Sequence, residues 1–180
     1  MSTLTRASRW ARCWRDPLIR PARAGDVPAI YRLIRDLADY ERSLDQVSAT
    51  EEDLRRSLLA DQPVVFAHVA EHEGEIVGFA LWFINFSTWE GRPGIYLEDL
   101  YVRPHVRGGG HGRALLAELA RICVQRGYPR LTWAVLDWNS PALGFYGSLG
   151  AAAMDDWKVH QLTGTALRAL AGPGRVEPAG

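Results

Sequence analysis

A glycine-rich turn between a predicted strand and a predicted helix places the strongest constraint on the fold of this chain. Glycine occupies four of the six positions from Arg107 to Gly112. The preceding segment, 95–102, has the composition of a strand, and the apolar positions of 114–123 recur at helical spacing. Such a turn exposes consecutive backbone N–H groups at the positive end of the helix dipole, a geometry that binds phosphate. A tight turn that only brings the helix close to the sheet is the structural alternative.

Two common nucleotide-binding motifs do not match this turn. A Walker loop requires Lys followed by Ser or Thr, whereas Gly112 is followed by Arg113 and Ala114. The dinucleotide fingerprint requires the spacing GxGxxG and an acidic residue roughly 20 positions later. Here the glycines have the spacing Gly-x-Gly-x-Gly and the acidic residue is missing.

The remaining hydrophobic pattern predicts an α/β domain in which two helices precede the main sheet. Asp26 and the Thr50–Asp53 capping box mark the starts of these helices, and Asn139 marks the start of a later short helix. Alternation and turn residues predict the strands. The predicted strands are 18–22 at a sheet edge, 64–70, 76–86, 95–102, 131–136 and a closing hairpin made of 151–153 and 157–162.

Composition narrows the class of protein. The 180 residues, 47% of them hydrophobic, predict one folded domain, which we place at 17–171. The 21 basic and 21 acidic residues cancel, so a global basic field that would attract nucleic acid or an anionic membrane is not expected. Eleven acidic residues against three arginines between Asp36 and Glu75 suit a cationic partner or, equally, the solvated faces of surface helices.

The ends of the chain and its cysteines indicate the compartment. Cys13 and Cys123 are too few for a disulfide framework, and the sequence contains no CxxC metal site. No apolar stretch is long enough for a membrane span, so we expect a cytoplasmic protein. We expect 1–16 to be a disordered, arginine-rich leader, with a transit peptide as the alternative, and 172–180 to be a flexible tail.

Several motifs in the same order resemble one enzyme family. The chain is similar to the Gcn5-related N-acetyltransferases (GNAT) and, within them, to the diamine (spermidine/spermine) acetyltransferase branch. The resemblance covers about 18–162 and rests on Arg107–Gly112, Ile19–Ala22, Leu37–Glu41, Thr50–Leu54, Ile76–Ala80, Tyr96–Asp99, Trp138–Pro141 and Phe145–Tyr146. It implies a mixed, strongly bent sheet of about six or seven strands flanked by helices, with acetyl-CoA as co-substrate.

The resemblance also assigns residues to the co-substrate. Backbone groups of the glycine turn would hold the CoA pyrophosphate, and the preceding strand would pair with the pantetheine arm. The implied residues are Leu100, Tyr101, Val102, Arg107, Gly108, Gly109, Gly110, His111, Gly112, Arg113, Asn139, Ser140, Pro141, Ala142 and Tyr146. Because the thioester is already activated, neither a metal nor a covalent enzyme intermediate is expected.

Two residues are the implied catalysts. In the predicted strand Glu98 shares a face with Tyr96 and Leu100, where a carboxylate needs a reason, and its family counterpart removes a proton from the amine. The alternative is a carboxylate paired with an arginine, and Asp99, on the opposite face, would be structural. Tyr146 matches the tyrosine that protonates the departing thiolate, with an ordinary core tyrosine as the alternative.

The acceptor is implied less narrowly. The implied substrate-binding residues are Tyr40, Glu41, Trp89, Glu98, Thr132, Trp133, Ala134 and Asp155. The sequence departs from the branch in a shorter acidic stretch before Trp157 and in one extra residue between Trp89 and Glu98. A diamine or polyamine is therefore expected, with an amino acid such as thialysine, a protein amine, a drug, or a non-catalytic acyl-CoA sensor as alternatives. The resemblance also implies a homodimer, for which the predicted hairpin at 151–162 could supply the interface.

Overall fold

A computed structural model describes residues 17–172 of the chain. The expected leader at 1–16 lies outside the described residues, as does the expected tail from 173 onward. Contacts between Cα atoms divide the chain into two compact units, with the boundary after Ala134. Each unit is described by itself.

The first unit is built on one five-stranded sheet in which the strands follow chain order. The first four strands are antiparallel, and the fifth runs parallel to the fourth. The edge strand and the hairpin predicted from the sequence are confirmed. The strands are β1 (Leu18–Pro21), β2 (Phe66–His72), β3 (Glu75–Ser87), β4 (Arg92–Val102) and β5 (Leu131–Trp133).

Two helices cover one face of this sheet. Ile30 and Leu33 of α1 (Val27–Tyr40) are fully buried, and they pack in one cluster with Phe79 of β3. Fully burying side chains of this size contributes about 1.5 to 3 kcal/mol each. The helix α2 (Glu51–Leu58) begins at the predicted capping box, where Asp53 N–H donates to the Thr50 hydroxyl oxygen at 3.2 Å. These helices leave the C-terminal end of α1 beside β4.

The third helix, α3 (His111–Arg126), follows the glycine turn and packs on the opposite face. Its apolar side, represented by Leu115 and Leu119, is fully buried. His68 alternates with its neighbours along β2 and therefore points to this second face, where its Nε2 lies 3.8 Å from Glu118 of α3. The sheet thus lies between α1 and α2 on one side and α3 on the other.

A β-bulge interrupts the pairing of β3 with β4. Leu81 pairs with Asp99, but the next residue, Trp82, pairs with Leu97. Glu98 is therefore the extra residue of the bulge and has no partner on β3. Because directly paired residues share a face, Asp99 lies on the same face as Leu81, toward α1. The bulge corrects the assignment of faces made from simple alternation.

The second unit contains two helices, α4 (Ser140–Ser148) and α5 (Gly164–Ala171). Asn139 begins α4 as predicted, and its Oδ1 accepts a hydrogen bond from Ala142 N–H at 3.3 Å. The amphipathic α5 was not predicted, although Leu167 and Leu170 have helical spacing and Ala-rich neighbours.

The predicted closing hairpin at 151–162 is wrong. This segment contains no strand, and the side chains of Trp157 and Val159 are 63% and 86% exposed. An alternating apolar pattern forms a strand only where the backbone finds a ladder partner, and no described strand pairs with it. The described sheet therefore has five strands instead of six or seven. None of the helices within 17–172 has the length and apolar character required to cross a membrane.

Candidate active site

The glycine turn has the backbone geometry that the sequence predicts. Gly108 and Gly110 have φ angles of 82° and 83°, values that favour glycine, and Gly110 is the residue from which α3 begins. A Cβ on Gly109 would lie 3.1 Å from the Val106 carbonyl oxygen. The first N–H groups of a helix have no partner within it, so this turn presents them at the start of α3 together with those of Gly112 and Arg113.

His111 forms the floor of the turn. Its side chain is buried, and its Nε2 would lie 3.2 Å from a Cβ on Gly109. Burial, together with the nearby His72, lowers the pKa of His111, so the ring stays neutral. Its Nδ1 has no hydrogen-bond partner within the described part of the chain. The side chain therefore supports the turn by packing, and its backbone N–H remains available to an anion.

Arg107 turns back toward the sheet. Its Nε donates a hydrogen bond to the Val102 carbonyl oxygen at 2.9 Å. Its guanidinium lies 5.2 Å from the ring centre of Tyr40 and 5.4 Å from that of Tyr101. The structure thus brings together the end of α1, the end of β4 and the glycine turn. The side chain of Arg107 braces these elements, which leaves anion binding in the turn to backbone groups.

The two sides of β4 are paired over different lengths. β5 pairs with Ile95–Leu97 only, whereas β3 pairs with β4 as far as Val102. No other described strand covers the β5 side of β4 from Glu98 to Val102. The backbone groups of Leu100, Tyr101 and Val102 on that side are therefore available to an extended ligand, as in β-strand addition.

A cluster of carboxylates lies where this double pairing ends. Glu98 is exposed at the bulge, and within 17–172 its side chain forms no hydrogen bond or ion pair, in contrast to the arginine-paired alternative. Burial, with smaller contributions from the charges of Glu98 and Glu41, raises the pKa of Asp99 to about 6. Burial also raises the pKa of Glu41, which directly follows α1.

Asp99 is the functional candidate that the sequence analysis missed. Simple alternation placed it on the structural face, but the bulge turns it toward α1 and Glu41. Two consecutive acidic residues inside an otherwise apolar strand, Glu98 and Asp99, were the available signal. A carboxylate with a pKa near neutrality is suited to exchange a proton at physiological pH.

Further along the same face, aromatic and polar groups follow the carboxylates. The rings of Phe83 and Tyr96 stack with centroids 5.1 Å apart. Thr132, which pairs with Tyr96, accepts a hydrogen bond from Asn85 Nδ2 at 3.3 Å. Of the other substrate residues implied by the resemblance, Trp133 ends β5, Ala134 follows it, and Trp89 is 87% exposed between β3 and β4.

The remaining implied residues belong to the second unit. Ser140, Pro141 and Ala142 form the first turn of α4, which Asn139 caps. Tyr146 is half-buried on α4, with its ring 5.3 Å from that of Phe145. Asp155 is exposed in the irregular segment that follows α4. The structure describes these residues within their own unit only. No group of three or more potential metal ligands occurs among the described residues of the chain.

Sequence comparisons point to acetyltransferases. The model of the Acetyltransferase (GNAT) family matches residues 28–151. A thialysine N-epsilon-acetyltransferase from Bos taurus is 41% identical over 166 residues, which cover 86% of this chain and 97% of the relative. A human spermidine/spermine N(1)-acetyltransferase-like protein 1 is 35% identical over 140 residues, covering 74% of this chain and 20% of that larger protein. Both relatives agree with the branch that the motifs resemble.

The structural comparison agrees with the sequence comparisons. A Vibrio cholerae integron cassette protein has a similar structure, with a TM-score of 0.73 and 26% identity. The match covers 87% of this chain and 98% of that protein. With the glycine turn, the one-sided strand and the family match in place, the chain belongs to the acetyltransferase (GNAT) family.

Proposed function

We propose that this N-acetyltransferase moves the acetyl group of acetyl-CoA to the terminal primary amine of a small cationic amino acid of the thialysine type. The observation that carries the proposal is the position of the carboxylate cluster. Glu98 and Asp99 stand where β5 stops pairing with β4, so an extended ligand on the open strand edge would end beside them. The aminoalkyl end of the acceptor would meet these carboxylates from the side of α1 and Glu41.

The residues present fit acetyl-CoA. The glycine turn offers backbone N–H groups to a pyrophosphate, and the open edge from Leu100 to Val102 offers backbone donors and acceptors to the pantetheine arm. When bound, acetyl-CoA supplies an acetyl group activated as a thioester. The segment Asn139–Ala142 would contact it as the resemblance implies.

The proposed chemistry is direct attack in a ternary complex. The Glu98 and Asp99 carboxylates hold the substrate ammonium and accept one of its protons as a coupled pair. The amine lone pair then forms the new N–C bond while the C–S bond breaks. Tyr146 donates a proton to the sulfur that leaves, because a phenol is neutral at working pH and still able to donate to an anion.

The choice of acceptor is supported by both the relatives and the site. The Bos taurus relative is a thialysine acetyltransferase, and it matches nearly its whole length. Tyr40, Glu41 and the carboxylate pair would contact the amine end, and Trp89, the segment Thr132–Ala134 and Asp155 the remainder. A diamine or polyamine is the second candidate, because an acidic cluster also attracts a second ammonium group.

A thiol-release assay with a panel of amines tests the proposal. We expect turnover with thialysine and ornithine, and weaker turnover with putrescine and spermidine. Preference for a polyamine or a basic peptide would overturn the acceptor assignment and keep the acetyl transfer. Tight acetyl-CoA binding without turnover of any amine would favour a sensor. Tyr146→Phe should lower kcat while leaving acetyl-CoA affinity unchanged, and an unchanged kcat would contradict the acid role.

We also propose a homodimer, as the resemblance implies. Trp157 and Val159 expose apolar surface that a second copy could cover. Sedimentation at micromolar concentration should give twice the mass of the 20.1 kDa chain. A monomer under these conditions would remove the proposal.

A further inference from the structure

Opposite charges mark the two ends of the face on which the carboxylates lie. The pairs Leu81–Asp99, Phe83–Tyr96 and Asn85–Gly94 follow one another along β3 and β4. Alternate residues of β3 share a face, so their partners on β4 share it as well. Asp99 is at one end, the stacked Phe83 and Tyr96 rings are in the middle, and Gly94 is at the other end.

Gly94 makes room for a cationic side chain. A Cβ on Gly94 would lie 2.8 Å from Arg130 Cγ and 2.8 Å from Asn85 Oδ1. The aliphatic stem of Arg130 and the amide of Asn85 therefore meet over the bare backbone. Asn85 Nδ2 continues to Thr132 Oγ1 at 3.3 Å, which joins β3 to β5 across this glycine. Arg130 is thereby held at the end of the face that is farthest from Asp99.

The guanidinium of Arg130 is not satisfied by the described residues. Its Nε and Asn85 Oδ1 are both buried without a hydrogen-bond partner in the described part of the chain. Its Nη1 is 4.0 Å from Glu90 Oε2, a long ion pair in which the Arg130 side chain is 34% exposed. Exposed ion pairs of this kind contribute little, so Glu90 can give way to a better-placed carboxylate.

We infer that Arg130, held over Gly94 with Asn85 and Thr132, binds the α-carboxylate of an amino-acid acceptor whose terminal amine lies at Glu98 and Asp99. The inference rests on the proposed function and deepens it. Leu81 and Asn85 are four residues apart on β3, which corresponds to about 13 Å. Arg130 and Asp99 reach into this interval from its ends, and an extended aminoalkyl chain fits between them along the Phe83 and Tyr96 rings.

The same arrangement disfavours diamines and polyamines. Their second ammonium group would approach the guanidinium of Arg130 instead of a counter-charge. Specificity then arises from a repulsive contact to the wrong substrate as well as from an attractive one to the right substrate. The carboxylate end thus decides between the two acceptor classes that the acidic end alone would accept.

A matched pair of substrates tests the inference. Thialysine and its decarboxylated analogue, bis(2-aminoethyl) sulfide, differ only in the carboxylate. The wild-type protein should prefer thialysine by about tenfold or more in kcat/KM, the scale of one charged hydrogen bond. Arg130→Gln should remove the preference by raising KM for thialysine, with kcat nearly unchanged, and should leave the analogue unaffected or improved. Arg130→Lys should restore part of the preference.

Two further variants guard against a purely structural effect. Glu90→Gln removes the competing carboxylate and should lower KM for thialysine. Arg126→Gln, which changes an arginine stacked 6.0 Å from the Tyr128 ring, should alter neither substrate. Equal losses for both substrates in Arg130→Gln, or an unchanged KM for thialysine, would overturn the inference. Wild-type turnover of both amines without preference would also overturn it, whereas turnover of neither would overturn the proposed function.

Discussion

The two halves of β4 differ in what surrounds them. Ile95–Leu97 are paired on both sides, with β3 and β5, and Ile95 and Leu97 are almost fully buried. From Glu98 to Val102 the strand is paired only with β3, and this half carries the two carboxylates. The first half positions side chains within a completed sheet, and the second half leaves backbone groups for a ligand. One strand thus provides both the support of the site and its binding edge.

The largest expected effect concerns the carboxylates of the open half. Asp99→Asn should lower kcat/KM about 100-fold, equivalent to about 2.7 kcal/mol, because a general base contributes at least this much. The wild-type pH profile should lose activity below a pKa of about 6, where Asp99 becomes protonated. Asp45→Asn, which changes an exposed carboxylate of the same acidic region, is the control and should leave the profile unchanged. An acidic limb that persists in Asp99→Asn would assign it to another group.

A substitution in β3 tests how tightly the open half is held. A Cβ on Gly78 would lie 2.8 Å from the Tyr101 carbonyl oxygen and 2.9 Å from Val102 Cγ2. Because one of these atoms belongs to the backbone, Gly78→Ala should lower the free energy of unfolding by about 2 to 3 kcal/mol. Urea denaturation measures the change. A loss below the experimental error would mean that the open half shifts easily.

The corresponding substitution in the doubly paired half should cost less. Gly94→Ala meets Arg130 Cγ and Asn85 Oδ1, which are side-chain atoms that can move, so we expect a loss of about 1 to 2 kcal/mol. Gly144→Ala in α4 is the matched control, because no atom lies within 4 Å of its Cβ position. It should stabilise the protein by about 0.5 to 1 kcal/mol. A larger loss for Gly94→Ala than for Gly78→Ala would reverse the comparison.

The smallest expected effect is a pH dependence of stability. The folded pKa of Asp99, about 6, lies above its ordinary value of 3.8. Folding therefore favours the protonated form, and this contribution is fully present below pH 3.8 and is lost as the pH rises through 6. Because the group is partly solvated, we expect about 1 kcal/mol. Comparing urea denaturation of the wild type and Asp99→Asn at pH 4 and 7 isolates it, and an equal pH dependence in both proteins would contradict the assignment.

Local chemistry decided the parts of the protein that sequence reasoning predicts well. The glycine run, the capping box at Thr50 and the cap at Asn139 act within a few residues, so the turn and the starts of α2 and α4 follow from the sequence alone. The family resemblance also rests on short motifs, and the comparisons confirm it.

Pairing between distant segments decided the remainder. The bulge that moves Asp99 to the face of α1 exists only because β3 and β4 shift their register, and alternation along one strand contains no such information. The end of β5 at Trp133 and the lack of a strand at 151–162 likewise depend on partners elsewhere in the chain. The meeting of Asn85 and Arg130 over Gly94 joins three segments. By itself, the sequence determined the catalytic class, whereas the tertiary structure decided which side chains meet the acceptor, because a strand's register and partners are set by long-range contacts.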